Sequence, residues 1–343
     1  LLEHLEVSKQ DLDGFLKDAH KAVPPSVAAE AATPDPYDYG LGAMRPNEAV
    51  TAEAAALAPP PEMMFAAVAL PTAVNLIARM PPIRNQAGRG TCVAFTLTAI
   101  HDYATRLAGG QANNFSEQHL YYETKLIDGA PNGCGTWQAK AALALANRGQ
   151  CLEPVWPYNP NPPCNNHGPL PAGARPNGLI YRFRVTGLVD ATARNVAWIK
   201  SMLADRKPVG ISIPVYNSWY SSSQTTKTGA ITMRLGTEPN VGGHAVCLVG
   251  YQDSASAPGG GYFIVRNSWS TNWGYQCPYG PGYGTIPYQY ITNDNWEAFG
   301  PVSVAAEQPD DDQQPDDHLD VKPARGGRTI TIRVKGNVNL IIE

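Results

Sequence analysis

Residues 84–95 read RNQAGRGTCVAF, a glycine-rich turn that leads into an apolar run beginning at Cys92. The run predicts a helix over about 92–107 with a cysteine at its first position. The unpaired N–H groups and the positive dipole end of a helix N-terminus stabilise an anion. Since the thiolate is the nucleophilic form of cysteine, this stretch indicates a nucleophile at Cys92.

Two later segments offer partners for the thiol. Residues 242–246 read GGHAV and place His244 at the start of a predicted strand, after two glycines that let backbone approach closely. Residues 262–269 read YFIVRNSW, and Asn267 can accept the N–H of His244, which fixes the tautomer and orientation of the ring. A Cys–His pair gives a thiolate and an imidazolium that attack a carbonyl and later protonate the leaving amine.

Gln86 lies six residues before Cys92. Its amide N–H, together with the backbone N–H of Cys92, can form an oxyanion hole for a tetrahedral intermediate. Taken one at a time, these residues have ordinary interpretations: a buried cysteine, a surface glutamine and a turn at a strand end. Their occurrence together, in this order, favours catalysis.

The three segments, in this order, resemble the papain family of cysteine peptidases, in a bacterial-type variant. His244 and Asn267 follow Cys92 by 152 and 175 residues, against about 130–150 in that family. The resemblance extends over about 66–300, and it includes the motifs Ser116-Glu117-Gln118, Trp156-Pro157-Tyr158 and Gly282-Tyr283-Gly284. It implies an α+β fold in which a helical half with the cysteine and a β-barrel-like half with the histidine and asparagine flank an active-site cleft.

The resemblance also implies a substrate-binding surface. Residues 133–137 read GCGTW and resemble the family segment that pairs with an extended substrate and walls the pocket next to the cut site. Trp269 resembles the indole that shields the His–Asn hydrogen bond from water. The expected substrate-binding residues are therefore Gly135, Thr136, Trp137, Gly243 and Trp269. The chain lacks the family's usual Gly-Gly pair there and has Val93 in place of an aromatic residue after the nucleophile, so the substrate preference stays open.

Four regions are expected along the 343 residues: an N-terminal extension (1–65), the peptidase body (66–300), an acidic, proline-rich linker (301–323) and a C-terminal β-hairpin or tail (324–343). The extension carries 4 Lys/Arg against 11 Asp/Glu, whereas the body carries 17 against 11. These opposite charges favour either a solvated tail or an inhibitory prosegment that lies on the body. Alternatively, residues 301–343 fill the cleft or recruit a partner by β-addition.

Hydrophobic patterning and caps predict helices before strands, which is typical of α+β folds. The expected helices are 8–21, 48–57, 92–107, 116–126 with Ser116 as N-cap, 136–148 and 192–205. The expected strands are 181–185, 208–215, 244–251, 262–267 and 284–288, and a hairpin is expected from 329–334 and 338–342.

The six cysteines give a mixed prediction. Cys151 and Cys164 flank a proline-rich loop and are candidates for a disulfide, while Cys247 has the surroundings of a buried hydrophobe. By the resemblance, Cys134 matches a half-cystine whose usual partner position is Arg89 here. We expect a secreted or extracytoplasmic protein. The chain begins at Leu1 without a visible signal peptide, so we expect it to follow processing or trimming.

Several classes of partner are not expected. No cysteine or histidine spacing suggests zinc, and neither a metal nor a cofactor is implied. No Lys/Arg cluster resembles a nucleic-acid-binding patch, and no run of 18 apolar residues predicts a membrane span. The expected partner is a peptide or protein substrate.

Three functions are compatible with these residues. The favoured one is a cysteine endopeptidase that works through a thioester acyl-enzyme and is made as a zymogen. The alternative is an acyl-transfer enzyme, such as a transpeptidase, amidase or deamidase, with the same residues. A binding protein on this fold would be favoured by loss of Cys92, His244 or Gln86, and all three are present.

Overall fold

Helices make up one part of the molecule. In the computed structural model, which describes residues 39–60, 69–109, 113–161 and 168–302 and the backbone of two strands within 319–334, the first helices are α1 (Glu48–Ala54), α2 (Cys92–Leu107), α3 (Glu117–Lys125), α4 (Gln138–Arg148) and α5 (Ala174–Ile180). Asn47 caps α1 and Ser116 caps α3, each by accepting a backbone N–H through its side chain. The expected helices at 48–57, 92–107, 116–126 and 136–148 are confirmed, and the one expected at 8–21 lies outside the described residues.

Seven antiparallel strands form the other part: β1 (Ala73–Asn75), β2 (Val185–Val189), β3 (Val209–Tyr216), β4 (Asn240–Asp253), β5 (Gly261–Arg266), β6 (Tyr283–Pro287) and β7 (Glu297–Pro301). Their order is β2-β7-β3-β4-β5-β6, and β1 pairs with β4. Among these strands β2 and β6 do not pair, so the sheet is open where a barrel-like half was expected. Helices α6 (Val196–Ala204), α7 (Ser218–Ser221), α8 (Ser223–Thr228) and α9 (Tyr288–Asp294) lie between the strands. None of the helices in the described ranges is long and apolar enough to cross a membrane.

One predicted strand is wrong in position. The strand expected at 181–185 is found at Val185–Val189, because the chain before it forms α5 and Tyr181 is the C-cap of that helix. Helix α5 contains Pro176 and Gly178, which are poor helix formers. Prediction from the sequence pattern therefore missed α5.

The C-terminal hairpin also differs from the expectation. Strand β9 (Ile330–Val334) pairs antiparallel with β8 (Leu319–Pro323), with Leu319 opposite Val334 and Pro323 opposite Ile330. The partner of 330–334 thus lies upstream, in the region expected to be linker. The strand expected at 338–342 lies outside the described residues.

The sheet register places the candidate histidine and asparagine side by side. On β4, His244 lies opposite Ile213 of β3, and Cys247 lies opposite Arg266, the last residue of β5. Asn267 follows that residue directly, so the antiparallel pairing returns it toward His244. Helix α2 packs on β4 in the main hydrophobic core, which brings the helix N-terminus to the same point.

The cysteines correct one prediction. Cys151 is a free, buried cysteine, as are Cys92, Cys247 and Cys277, so the suggested pairing of Cys151 with Cys164 is wrong. Cys134 does form a disulfide, although position 89 holds an arginine. Cys247 is buried in the apolar core, as expected.

Candidate active site

Cys92 is the first residue of α2 and is fully buried. The helix N-terminus has no side-chain cap from Thr91. Burial raises the pKa of the Cys92 thiol to about 11, although backbone N–H groups of Ala245, Gly42, Val93 and Ala43 point at the sulfur and oppose that rise. The sequence favoured a thiolate at this position, whereas the surroundings in this state favour the neutral thiol.

His244 and Asn267 are hydrogen-bonded, with 2.8 Å between Nε2 and Oδ1. The backbone N–H of Ser268 donates to the same oxygen at 2.8 Å, which fixes the orientation of the amide. Because Oδ1 can only accept, Nε2 carries the proton and Nδ1 has a lone pair. Nδ1 is buried and has no hydrogen-bond partner among the described residues. Burial lowers the pKa of His244 to about 4, so the imidazole is neutral in this state.

Trp269 lies against this pair. Its ring stacks on His244 with 4.4 Å between centroids, and Tyr39 and Tyr220 stack on Trp269 at 4.7 and 5.5 Å. Trp219 meets both Trp269 and His244 edge-on. This aromatic cluster keeps water from the His–Asn hydrogen bond, which is the position that the sequence predicted for Trp269.

Gln86 is buried and its side chain is held in a fixed orientation. Its Nε2 donates to the carbonyls of Gly40 and Arg89, at 2.9 and 2.8 Å. Its Oε1 accepts from Ser268 Oγ at 2.6 Å, and its backbone N–H donates to the carbonyl of Ser268. Sequence reasoning gave Ser268 no role; its only signal was its place between Asn267 and Trp269.

Residues 39–45, called the cleft segment below, run between the two parts of the site. The backbone N–H of Thr136 donates to the Gly42 carbonyl at 2.8 Å, and Met44 N–H donates to the Thr136 carbonyl at 2.9 Å. The N–H groups of Gly42 and Ala43 both lie 3.0 Å from the Gly243 carbonyl. The cleft segment therefore occupies the backbone groups expected to bind substrate.

The remaining predicted substrate-binding residues contact the same segment. Trp137 Nε1 donates to the Arg45 carbonyl at 3.0 Å, and Trp269 stacks on Tyr39. At Gly135, a Cβ would lie 2.7 Å from the Gly42 carbonyl oxygen. All five predicted residues thus contact residues 39–45 of the chain's own N-terminal extension.

Two glycines allow the cleft segment to lie this close to the Cys92 loop. A Cβ on Gly40 would be 2.2 Å from the Arg89 carbonyl oxygen, and one on Gly42 would be 2.1 Å from that of Gly90. No real Cβ reaches such distances without movement of backbone. The sequence offers a signal in the small residues Gly40, Gly42 and Ala43, but which residues of the extension contact the site depends on tertiary contacts.

After the cleft segment, α1 fastens the extension to the body. Glu53 pairs with Lys140 at 2.5 Å, and Thr51 Oγ1 donates to Asp190 Oδ2 at 2.7 Å. Val50 and Ala54 are buried on the inner face of α1. These contacts hold residues 39–57 across the site.

A buried ion pair supports the wall of the cleft. Lys125 Nζ lies 2.6 Å from Asp128 Oδ2 and donates to the Gly135 carbonyl at 2.9 Å. Asp128 Oδ2 also accepts from Thr136 Oγ1 at 2.9 Å. The pair fixes Thr136, which hydrogen-bonds to the cleft segment, and Gly135, which packs against it, a role that local sequence does not show.

Known sequences are similar to the central part of this chain. A family model described as papain family cysteine protease matches residues 70–286. A peptidase C1-like protein of Acanthamoeba polyphaga mimivirus is 27% identical over 237 residues, or 66% of this chain and 69% of that protein. Cysteine proteinase B of Leishmania mexicana is 28% identical over 199 residues, or 57% of this chain but 40% of that longer protein.

Solved structures show a similar fold. Xylellain, a cysteine protease from Xylella fastidiosa, superposes with a TM-score of 0.59 at 23% identity, covering 81% of this chain and 99% of that one. The digestive procathepsin L2 proteinase of Tenebrio molitor larval midgut has a TM-score of 0.58 at 22% identity, covering 85% and 90%.

Proposed function

Because this chain belongs to the papain family of cysteine proteases, which makes it a cysteine-type peptidase, we propose that it is a zymogen whose Cys92 hydrolyses peptide bonds once residues 39–45 leave the cleft. Residues 1–65 act as the prosegment in this proposal. The single observation that carries it is the cleft segment itself, which is bonded to the expected substrate-binding backbone.

The catalytic steps follow from the positions of the side chains. His244 Nδ1 takes the proton of the Cys92 thiol, and the sulfur attacks the carbonyl carbon of the substrate. The Nε2 of Gln86 and the N–H of Cys92 stabilise the resulting oxyanion. The imidazolium then protonates the leaving amine, and the C–N bond breaks to give a thioester.

Deacylation uses the same histidine, now with water as the source of the nucleophile. His244 removes a proton from a water molecule, the hydroxide attacks the thioester carbonyl, and the C–S bond breaks as the proton returns to sulfur. Asn267 keeps the proton on Nε2 throughout, so that Nδ1 remains the atom that exchanges protons.

The cleft segment is suited to inhibition rather than to being cut. The Cys92 sulfur faces the N–H groups of Gly42 and Ala43, which are hydrogen-bond donors and offer no electrophile. The Gly40 carbonyl accepts from Gln86 Nε2 at 2.9 Å, so the oxyanion donor is already bonded. The segment therefore already occupies the amide donor of Gln86, which supports an inhibitory role.

Incubation of the chain with peptides tests the proposal, before and after limited proteolysis of residues 1–65. We expect hydrolysed peptides to accumulate only after proteolysis, as measured by mass spectrometry. Products joined to an added amine, with little hydrolysis, would identify a transpeptidase instead. Absence of both products from the cut protein would contradict the proposed activity.

Substitution of Gly42 by alanine is expected to loosen the inhibition in the full chain. The new Cβ would meet the Gly90 carbonyl, and overpacking of this kind costs about 1–3 kcal/mol. We therefore expect alkylation of Cys92 in the uncut chain to become about 5- to 150-fold faster. Gly173→Ala is the matched control, because its Cβ would meet nothing within 4 Å. Equal alkylation rates in both variants would argue against the cleft segment as the inhibitor.

The reactivity of Cys92 is expected to depend on pH differently before and after removal of the extension. Burial raises the thiol pKa from 9.0 to about 11 in the full chain, so at neutral pH the thiolate fraction falls about 100-fold below that of an ordinary thiol. We expect the cleft segment to contribute to this burial. In the full chain the rate should climb only at alkaline pH, and after removal the rise should move to lower pH. Peptide mapping of Cys92 carbamidomethylation from pH 6 to 10 measures both profiles; superimposable profiles would contradict this account.

We also propose an extracytoplasmic location. The disulfide at Cys134 supports it, because structural disulfides persist mainly in oxidising compartments. Thiol trapping of the protein in its native cells checks this: Cys134 should be blocked from alkylation until a reductant is added. Rapid labelling of Cys134 without reductant would speak against that location.

A further inference from the structure

Arg89 is a buried cation in the loop between Gln86 and Cys92. Its side chain is 2% exposed. Its Nη1 donates to Gln118 Oε1 of α3 at 2.8 Å and to the Asn159 carbonyl at 2.6 Å. The guanidinium thus joins the loop to two other parts of the helical half.

Two tyrosine rings enclose the same guanidinium. Its Cζ lies 5.5 Å from the ring centroid of Tyr121 and 5.2 Å from that of Tyr158, within the range of cation–π attraction. Among the described residues, Nε and Nη2 have no hydrogen-bond partner. A cation buried with incomplete hydrogen bonding is costly, so the position calls for a role beyond filling space.

Arg89 and Tyr158 are both hydrogen-bonded to Gln86, the proposed oxyanion donor. The Arg89 carbonyl accepts from Gln86 Nε2 at 2.8 Å. Tyr158 Oη donates to the Gln86 carbonyl at 2.8 Å and lies 2.8 Å from Thr91 Oγ1. Tyr158, one of the two tyrosines that enclose Arg89, is therefore hydrogen-bonded near both ends of the loop that carries Gln86 and Cys92.

The two hydrogens of the Gln86 amide have separate acceptors. One points to the Arg89 carbonyl and the other to the Gly40 carbonyl. When the cleft segment leaves, the Gly40 acceptor leaves with it, while the Arg89 acceptor belongs to the body and stays. The Arg89 carbonyl then directs the second N–H toward the place where a substrate oxygen would lie.

We propose that Arg89 is a positioning residue for the oxyanion hole: its guanidinium, held by Tyr121, Tyr158, Gln118 and Asn159, fixes its own carbonyl and so aims the amide of Gln86. This inference rests on the proposed peptidase function. Arg89 does not touch the substrate; it acts through Gln86.

The test compares Arg89→Met and Arg89→Lys with the wild type, each made as the full chain and cut by the same limited proteolysis. Two rates are measured: kcat for a peptide, and alkylation of Cys92 by iodoacetamide, a displacement at carbon that needs no oxyanion hole. Lys200→Met is the matched control, because it also removes a cation from two tyrosine rings, at 4.7 and 5.4 Å, on an element that the proposed mechanism does not use.

We expect Arg89→Met to lower kcat by up to roughly 100-fold, as misplacement of a catalytic group does, with KM and the alkylation rate nearly unchanged. Arg89→Lys should recover part of kcat, and Lys200→Met should keep all of it. In a double-mutant cycle with Gln86→Ala, the second substitution should add little to the first.

Other results would overturn the inference. Additive losses of kcat for Arg89→Met and Gln86→Ala, or equal losses of alkylation and hydrolysis, would show that Arg89 only supports folding. An unchanged kcat in Arg89→Met would exclude the positioning role while leaving the peptidase function intact. If Cys92 of the cut wild type is alkylated but no peptide is hydrolysed, the proposed function is wrong, and this inference with it.

Discussion

Substitution of Cys92 by alanine is expected to lower kcat for peptide hydrolysis by roughly six orders of magnitude in the activated protein, the loss seen when a protease nucleophile is removed. Among the described residues, the other free cysteines are buried and none of them begins a helix as Cys92 does; these are Cys151, Cys247 and Cys277. The rate is measured with a fluorogenic peptide after the same limited proteolysis of both proteins.

Cys151→Ala is the matched control for this variant. Cys151 is as buried as Cys92 and also carries a free thiol, with its pKa raised by burial to about 12. We expect Cys151→Ala to retain wild-type kcat and to bind one equivalent of a thiol-directed epoxide at Cys92. Retained hydrolysis in Cys92→Ala, with loss in Cys151→Ala, would place the nucleophile elsewhere.

Substitution of His244 by alanine is expected to have an effect of nearly the same size. A thiol without its base cannot lose its proton at neutral pH or protonate the leaving amine, and residues that act as a unit show losses close to that of the whole unit, roughly 10⁶-fold in kcat. The double variant Cys92→Ala/His244→Ala should therefore be no slower than Cys92→Ala alone. The measurement is kcat at neutral pH, together with the rate of Cys92 alkylation, which should also fall.

His101→Phe serves as the control for a buried neutral histidine. His101 lies in α2, stacks on Phe115 at 3.7 Å and has a pKa lowered by burial to about 3. A phenylalanine keeps this stacking, so kcat should stay near the wild-type value. Equal losses in His101→Phe and His244→Ala would mean that His244 acts only through stability.

Local sequence predicted the helical part of the site well. The stretch from Arg84 to Phe95 carries its own signals, namely glycines in the turn and an apolar run after Cys92, and α2 begins at that residue. Ser116 and Asn47 cap the helices that follow them. Such features depend on residues within one or two turns, which is why a linear pattern is sufficient for them.

Contacts between distant segments of the site could not be predicted from local sequence. The proximity of His244 and Asn267 arises from the register of β4 on β5, and the motif order suggested it only through the resemblance to a family. The strand expected at 181–185 lies at Val185–Val189, because α5 comes before it. The proline and glycine of α5 made that helix invisible to prediction from sequence pattern. Ser268 contacts Gln86 across 182 residues. Lys125 and Asp128 reach Gly135 and Thr136 across 10 and 8 residues, and hydrophobic periodicity does not reveal such polar contacts.

The coverage of the site by the extension, and the ionisation of Cys92, could be predicted only in outline. Charge opposition between residues 1–65 and the body favoured an inhibitory extension, but the contacts of Gly40 and Gly42 with backbone depend on sub-ångström fit. Burial also changes the expected ionisation. The helix N-terminus favours a thiolate at Cys92, whereas burial in the full chain favours the thiol and outweighs the N–H groups that point at the sulfur.

The central claim is that Cys92 is a peptidase nucleophile covered by the cleft segment. The most direct measurement is intact mass after exposure to a thiol-directed peptidyl epoxide at neutral pH, for the full chain and the proteolysed chain, each with and without Cys92→Ala. The account predicts one added inhibitor in the proteolysed wild type, little in the full chain, and none in either Cys92→Ala protein. Equal labelling of the full and proteolysed wild type, or labelling that survives Cys92→Ala, would contradict it.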